Sequence, residues 1–428
     1  MAYFPEKDVT PTPQRSSKDY LKSSRSELVN HLKTEVKKVP GHDISDFLTT
    51  SMWGWIYHYF KSRFGKKHPY PNYQFPDTGI YTLPDEEVNT IAITSDWATD
   101  TADAYAIAAA MESHDPDFTI HVGDTYYVGA PPEIHSNFVK KGAPWCRGKK
   151  GSFAVLGNHE MYARGTAFFK CLLPTLGLRN EEGGYTGQKA GYFCLQNQYW
   201  RILGLDTGYH SVGKPIVEFL PFCAPKAQLD DRQLAWLANT VRLGDPADKR
   251  GLVFLTHHQF ITAFKGEGEY NQPATQLASL FEHNPRQALW LWGHEHKLSF
   301  FSACSVNQDL TVYGRCIGHG GTPVALYNKK FNRSARKKGF AHLVAVDERF
   351  QKKIRNTDLG FNGYAVLSLQ GNTLSIAYHD HQRHLLTERW EANIHTGQPT
   401  GSIQVPSPAP FPPQRSWADA VSAFPASR

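Results

Sequence analysis

The sequence predicts an α/β fold, and two observations support that class. Five continuous apolar runs each end at Asp, Asn or His, which is typical of strands buried on both faces with functional loops at their carboxyl ends. An alanine-rich segment at 103–113 predicts a helix between the first two strands, as in a right-handed parallel βαβ unit. The runs are TIAITSD (90–96), FTIHVGD (118–124), SFAVLGNHE (152–160), LVFLTHH (252–258) and ALWLWGHEH (288–296).

The remaining elements follow from the same patterns. Helices are predicted around 166–173 and over 229–241, and a strand over 200–207 ends in Asp206. Beyond His296 the alternation changes to that of antiparallel strands. These strands are predicted at 310–326, 340–346, 364–380 with a hairpin turn at Gly371-Asn372, and 384–390.

Three regions are predicted along the chain. Residues 1–85 form an arm and a helical extension, with helices near 21–36 and 44–59. Residues 86–395 form the catalytic domain. Residues 396–428 form a proline-rich tail, expected to be an extended and weakly ordered strap. The aromatic patch at 52–60 is interpreted as packing on the protein's own core, and peripheral membrane contact is the alternative.

Composition narrows the class of protein. The 46 basic and 40 acidic residues give a net charge of +6, too balanced to indicate a specific nucleic-acid partner. Six basic residues within 329–338 are expected to form a hydrated loop, with polyanion binding as the alternative. Six scattered cysteines without a CxxC pair, no apolar leader and no membrane-length apolar run predict reduced thiols in a cytoplasmic protein.

The residues that end the five runs form a set suited to transition metals, because carboxylate, amide and imidazole ligands are combined. Hydrolysis of phosphate esters benefits from two metal ions about 3.5–4 Å apart, which activate water and stabilise charge on the phosphoryl oxygens. One carboxylate must bridge the two ions, and Asp124 is the candidate. The full set is Asp96, Asp124, Asn158, His159, His257, His294 and His296.

In order, D96, G123-D124-T125-Y126-Y127, G157-N158-H159-E160, H257 and G293-H294-E295-H296 resemble the signature of the calcineurin-like metallophosphoesterases. The resemblance implies a four-layer sandwich of two mixed β-sheets flanked by helices, with metals at the strand ends. It implies a first metal held by Asp96, Asp124 and His296, and a second held by Asp124, Asn158, His257 and His294. His159 would stabilise the transition state or protonate the leaving oxygen, and Glu160 would orient His159.

One departure from the family pattern refines the resemblance. Ala98 stands where most relatives have a further histidine ligand, and the purple acid phosphatase branch, which also lacks that histidine, uses the tyrosine of a G-D-x-x-Y motif. GDTYY places Tyr127 at that position, with Tyr126 as the competing candidate. A phenolate favours a ferric ion, so Fe(III) is predicted at the first site and a divalent Fe, Zn or Mn ion at the second.

Contacts with substrate are less defined. That branch tends to carry a histidine nine residues after His257, and this chain has Gly266 there, next to Lys265. The candidate substrate contacts are His258, Lys265 and His319. The alternative for each is an ordinary loop residue without contact to substrate. His210 and Asp206 are further loop candidates, with Asp206 more readily explained as the cap of a turn.

The predicted reaction is hydrolysis of a small phosphomonoester by in-line attack of a metal-bound hydroxide. A phosphodiesterase that acts on nucleotides or lipid headgroups would use the same metals and is the alternative. A catalytically silent, metal-stabilised binding protein is a third hypothesis, and the complete ligand set with His159 argues against it.

Overall fold

The structure is a computed structural model. It describes residues 65–85, 87–213, 226–264, 267–326, 338–354 and 356–422. The predicted helices at 21–36 and 44–59, the aromatic patch at 52–60, Lys265 and nearly all of the basic segment at 329–338 lie outside these ranges.

Six short α-helices occur in the described ranges. The first is capped by Thr101, whose side chain accepts a hydrogen bond from the Ala104 N–H, and the fourth is capped by Asp230 in the same manner. The helices are α1 (Ala102–Glu112), α2 (Pro131–Ile134), α3 (Asn158–Tyr162), α4 (Asp231–Asn239), α5 (Asn271–Ser279) and α6 (Lys338–His342). The predicted helix at 166–173 forms instead as a π-helical turn, Phe168–Leu172, followed by a 3-10 turn.

The first sheet carries the first three of the five predicted strands. Its strands are β2 (Asn89–Thr94), β3 (Phe118–His121), β4 (Gly151–Ala154), β5 (Gly177–Leu178), β15 (Gly363–Gln370), β16 (Thr373–Asp380), β17 (His384–Glu391) and β18 (Thr400–Gln404). Their order is β18-β17-β16-β15-β2-β3-β4-β5. Strands β2, β3 and β4 are parallel, as the βαβ pattern predicted, and β15 joins β16 through the expected turn at 371–372.

The second sheet carries the other two. Its strands are β1 (Ile80–Thr82), β6 (Phe193–Gln196), β7 (Trp200–Leu205), β8 (Gly251–Thr256), β9 (Arg286–Trp292), β10 (Leu298–Ser305), β11 (Leu310–Ile317) and β12 (Leu343–Val346). Their order is β1-β6-β7-β8-β9-β11-β10-β12. A small hairpin, β13 (Lys352–Ile354) with β14 (Thr357–Leu359), stands apart from both sheets.

Two sequence expectations need correction. Strand β11 was expected to be antiparallel, but it pairs in parallel with β9 and is antiparallel only to β10, a strand the sequence pattern did not reveal. The tail was expected to be weakly ordered, yet β18 adds to β17 and the Phe411 ring is buried. Burial of apolar side chains fixes the tail because each contributes about 1.5–3 kcal/mol.

The two sheets pack face to face and helices cover their outer faces. Ile91 and Ile93 of β2 join one buried cluster with Val253 and Leu255 of β8, whereas Ala92 faces the other way toward α1 and its neighbours. This alternation is that of strands with both faces covered. The mixed α/β sandwich predicted for the fold is therefore confirmed.

Candidate metal centre

The carboxyl ends of the central strands of both sheets meet at one place because glycines allow the loops to touch. A Cβ on Gly293 would lie 1.9 Å from Ser95 Oγ and 2.5 Å from Asp96 Oδ2, and one on Gly123 would lie 2.8 Å from the Gly157 nitrogen. No side chain fits at either position. The loops after β2, β3, β4, β8 and β9 therefore converge on a single site.

Four of the predicted ligand residues have a left-handed backbone conformation. The φ angles are 56° at Asp96, 70° at Asp124, 66° at His294 and 44° at His296. Such a conformation costs about 1–3 kcal/mol for a residue with a side chain, and it is concentrated at functional sites where the surrounding structure enforces it. The three loops that carry these residues are shaped for the placement of side chains rather than for local stability.

One group of side-chain atoms gathers around Asp96. The Tyr126 hydroxyl lies 2.9 Å from Asp96 Oδ1, 3.2 Å from Asp124 Oδ2 and 2.8 Å from His296 Nε2. His296 Nε2 is itself 3.4 Å from Asp96 Oδ1. Two carboxylates, a phenol and an imidazole thus face one another.

A second group gathers around His257. Its Nε2 lies 3.1 Å from Asp124 Oδ2, 3.1 Å from Asn158 Oδ1 and 3.3 Å from His294 Nδ1. His257 Nδ1 donates to the Val122 carbonyl at 3.0 Å, so Nε2 is the ring nitrogen that faces the group. Asp124 Oδ2 belongs to both groups, which is the position that a bridging carboxylate would take.

Both groups fit a metal ion. Ligand atoms held about 2.0–2.2 Å from one ion are about 3 Å from one another, which matches the separations seen here. Asp96 and Asp124 are fully buried, and buried carboxylates require a compensating positive charge. His257 supplies it in this structure: burial alone would lower the pKa of His257, but Asp124 and Asp96 raise that pKa to about 10. A bound cation would take over that role and release the proton.

The tyrosine of the first group differs from the predicted one. Tyr126, the competing candidate, places its hydroxyl among the carboxylates, whereas Tyr127 contributes its backbone carbonyl to His159 and packs against Val128 and Ala130. The geometry therefore favours Tyr126 over the predicted Tyr127. Tyr126 follows the bridging Asp124 by two residues rather than three.

His159 flanks both groups. Its backbone N–H donates to Asp124 Oδ1 at 2.9 Å, and its ring Nδ1 donates to the Tyr127 carbonyl, so Nε2 is the free ring nitrogen. Nε2 lies 3.7 Å from Asp124 Oδ2, and the side chain is 18% exposed. The ring is therefore fixed at the edge of the site, with part of its surface exposed to solvent.

Glu160 has a different role from the predicted one. Its Oε2 accepts hydrogen bonds from the backbone N–H groups of Asp124 and Gly157, at 3.2 and 3.0 Å. Burial, and next the charge of Asp124, raises the pKa of Glu160 to about 8. Glu160 thus ties two loops of the site together, while the Tyr127 carbonyl, not Glu160, orients His159.

The candidate substrate contacts that the structure describes differ in their distance from the two ligand groups. His258 joins His257 and His294 in a set of imidazoles close enough to hold a metal ion, and its Nδ1 lies 3.0 Å from Thr207 Oγ1. His319 is buried beneath Gly363 and is not among the residues brought together here. Lys265 lies outside the described residues.

Two further loop candidates have structural roles. Asp206 accepts hydrogen bonds from the N–H groups of Gly208 and Tyr209, so the turn-capping interpretation is confirmed. His210 Nε2 pairs with Asp230 at 2.9 Å. Sequence reasoning missed Tyr270, whose hydroxyl lies 3.4 Å from His294 Nε2, because a tyrosine in a polar loop carries no periodic or motif signal.

Comparison with known proteins gives one family assignment. Residues 90–298 match the family model of the calcineurin-like phosphoesterases, and this segment holds every residue of both groups. No curated protein sequence matches the chain significantly.

Several solved structures are similar to the chain. PhoD is 12% identical with a TM-score of 0.46, over 75% of this chain and 72% of PhoD. The purple acid phosphatase PPD1 of Lupinus luteus is 13% identical with a TM-score of 0.39, over 80% and 57% of the two chains. A dimetal phosphatase of Danio rerio is 11% identical with a TM-score of 0.37, over 70% and 98%.

Proposed function

We propose that this chain acts on small phosphomonoesters with a pair of metal ions. The chain belongs to the calcineurin-like phosphoesterase family and is a metal-dependent phosphoester hydrolase. The observation that carries the proposal is the shared position of Asp124 Oδ2. That oxygen lies 3.2 Å from the Tyr126 hydroxyl in one group and 3.1 Å from His257 Nε2 in the other. One carboxylate oxygen facing two ligand sets is the arrangement a two-metal site requires.

The two groups differ in the ion they suit. Asp96, Asp124, Tyr126 and His296 would hold the first ion, and a phenolate with two carboxylates favours Fe(III). Asn158, His257 and His294 would complete the second site with Asp124, and imidazoles with an amide oxygen favour divalent Fe, Zn or Mn. When bound, the two ions would supply an activated water and neutralise charge on the phosphoryl oxygens.

The chain's own residues supply the rest of the chemistry. His159 Nε2 is held at the edge of the site by the hydrogen bond from Nδ1 to the Tyr127 carbonyl. As an imidazolium, His159 gives its Nε2 proton to the leaving alcohol oxygen, a step worth about 10²–10⁴-fold in rate. Glu160 holds the loops of Asp124 and Gly157 together, so that the side chains on these loops keep fixed positions toward the phosphoryl group.

The test compares rates on an aryl phosphomonoester and a bis-aryl phosphodiester with the same leaving group. We expect the monoester to be hydrolysed much faster, and we expect His159→Ala to lower kcat on it about 10²–10⁴-fold while the metal content stays unchanged. A faster diester reaction would favour a phosphodiesterase. Turnover of neither ester by metal-loaded protein would favour a binding protein.

Other proposals concern the surroundings of the enzyme. A small phosphorylated molecule is the proposed partner, and a cytoplasmic location remains a prediction. Among the described residues, none of the helices has the length and apolar character to span a membrane. Four cysteines of the described part are free thiols, namely Cys146, Cys171, Cys194 and Cys316.

A further inference from the structure

We infer that Tyr270 is a positioning residue for the second metal site, because its hydroxyl fixes the tautomer of His294. This inference rests on the proposed function. It extends that function to a residue outside the sequence signature, on the loop between β8 and α5.

The two ring nitrogens of His294 face different partners. Nδ1 lies 3.3 Å from His257 Nε2, inside the second group, and Nε2 lies 3.4 Å from the Tyr270 hydroxyl on the outer side. A neutral imidazole carries its proton on one nitrogen only. When the Tyr270 oxygen accepts Nε2–H, the Nδ1 lone pair points into the metal group.

His257 shows the same design with another partner. Its inner Nε2 faces Asp124 and its outer Nδ1 donates to the Val122 carbonyl. Metal-binding histidines usually donate their second nitrogen to an oxygen, which sets both the tautomer and the ring orientation. Val122 does this with its backbone, so a side-chain substitution cannot remove the contact. Tyr270 does it with a hydroxyl that a single substitution removes.

Tyr270 is held in place by contacts that do not depend on His294. Its backbone N–H donates to the Gln259 carbonyl at 3.2 Å, and the Gln259 side chain donates to the Gly268 carbonyl at 2.7 Å. The Tyr270 ring meets the His258 ring edge to face, with centroids 4.9 Å apart. These contacts hold Tyr270 without its hydroxyl, so removal of the hydroxyl should leave residues 267–270 in place.

The test is a zinc titration of the full-length chain after removal of metal with a chelator. Wild type is expected to bind two Zn²⁺ ions, and Tyr270→Phe is expected to weaken one of them about 10–100-fold while the other is unchanged. Tyr270→Leu, which removes the ring as well, should give the same loss. Tyr73→Phe is the matched control, because it removes a buried hydroxyl bonded to the Tyr192 carbonyl and is expected to leave both affinities unchanged.

The outcomes separate the inference from the proposed function. Unchanged zinc affinity in Tyr270→Phe overturns the role of Tyr270 and leaves the metal centre intact. A loss in Tyr270→Leu alone also overturns it, since the ring rather than the hydroxyl would then act. If wild type binds no zinc, the proposed two-metal function fails first.

Discussion

At the scale of single residues, the site is decided by where individual oxygen and nitrogen atoms point. One oxygen of Asp124, Oδ2, faces both ligand groups, and the other, Oδ1, accepts a hydrogen bond from the His159 N–H. Burial alone would raise the pKa of Asp124, but His257 and His159 hold it well below its usual range. Asp124 is therefore an anion that the neighbouring histidines stabilise.

The pair Tyr126 and Tyr127 gives a prediction in which each residue controls for the other. Tyr126→Phe should abolish the visible absorption of the oxidised, iron-loaded protein and reduce its iron content, because it removes the phenolate from the first group. Tyr127→Phe should keep both, since Tyr127 meets the site through its carbonyl. Absorption spectra and elemental analysis of the two variants check this. Loss of colour in Tyr127→Phe with colour kept in Tyr126→Phe would restore the original assignment.

Prediction from sequence reached a limit at this scale. Asp96, Asp124, Asn158, His257, His294 and His296 are brought together as expected, because strand ends dictate their positions. The choice between two adjacent tyrosines depends on the local path of a loop that no periodicity records. The hydrogen-bond partners of Glu160 could not be predicted from the sequence either, because Glu160 accepts from backbone N–H groups whose positions depend on the same loop paths.

At the scale of elements, the parallel strands β2 and β3 are linked at the start of their pairing by one carboxylate. Asp117 Oδ2 accepts hydrogen bonds from the Thr90 N–H at 3.0 Å and the Thr90 hydroxyl at 3.1 Å. Lys149 and Lys150 each lie 3.6 Å from Asp117 Oδ1. Burial would raise the pKa of Asp117, but the Thr90 bond and the two lysines lower it below its usual value.

This link predicts a pH-dependent contribution to the free energy of unfolding. A depressed carboxyl pKa stabilises the fold above the pKa of the unfolded chain, about 3.9, and the contribution is lost as the pH falls through the lower pKa of the folded protein. Asp117→Asn should cost about 1–2 kcal/mol at pH 7 and progressively less toward about pH 3. Urea unfolding across this pH range measures the difference.

Asp115→Asn is the matched control for that measurement. Asp115 pairs with the same Lys149 at 3.0 Å, but its side chain is 75% exposed. An exposed ion pair contributes about 0–1 kcal/mol, so the control should change stability little at any pH. A cost for Asp117→Asn that stays constant with pH would contradict the assigned role of its charge.

The elements themselves were predictable where burial is uniform. Strands β2, β3, β4, β8 and β9 appeared as apolar runs, because strands covered on both faces have no polar face to obscure the pattern. The sequence patterns did not predict the edge strands β1 and β18. Strand β1 has only three residues, all exposed or half-buried, and β18 contains a Gly-Ser segment, so neither gives a clear apolar pattern. Their pairing is decided by neighbours distant in sequence, not by their own residues.

At the scale of the whole molecule, the ligand groups join the two sheets. The first sheet provides Asp96, Asp124 and Asn158 after β2, β3 and β4, and the second provides the histidines after β8 and β9. Arg315 of β11 and Glu388 of β17 make a second connection, a fully buried ion pair with a 2.9 Å bond from Nη2. The arrangement of both ligand groups therefore depends on the packing of one sheet against the other.

The most direct measurement of the central claim is an anomalous-scattering experiment on crystals of the chain loaded with iron and zinc. Two peaks about 3.5–4 Å apart are expected, one on each side of Asp124 Oδ2, with His257 and His294 beside one peak and Tyr126 beside the other. A pocket without peaks, or a single ion that Asp124 does not contact, would contradict the account.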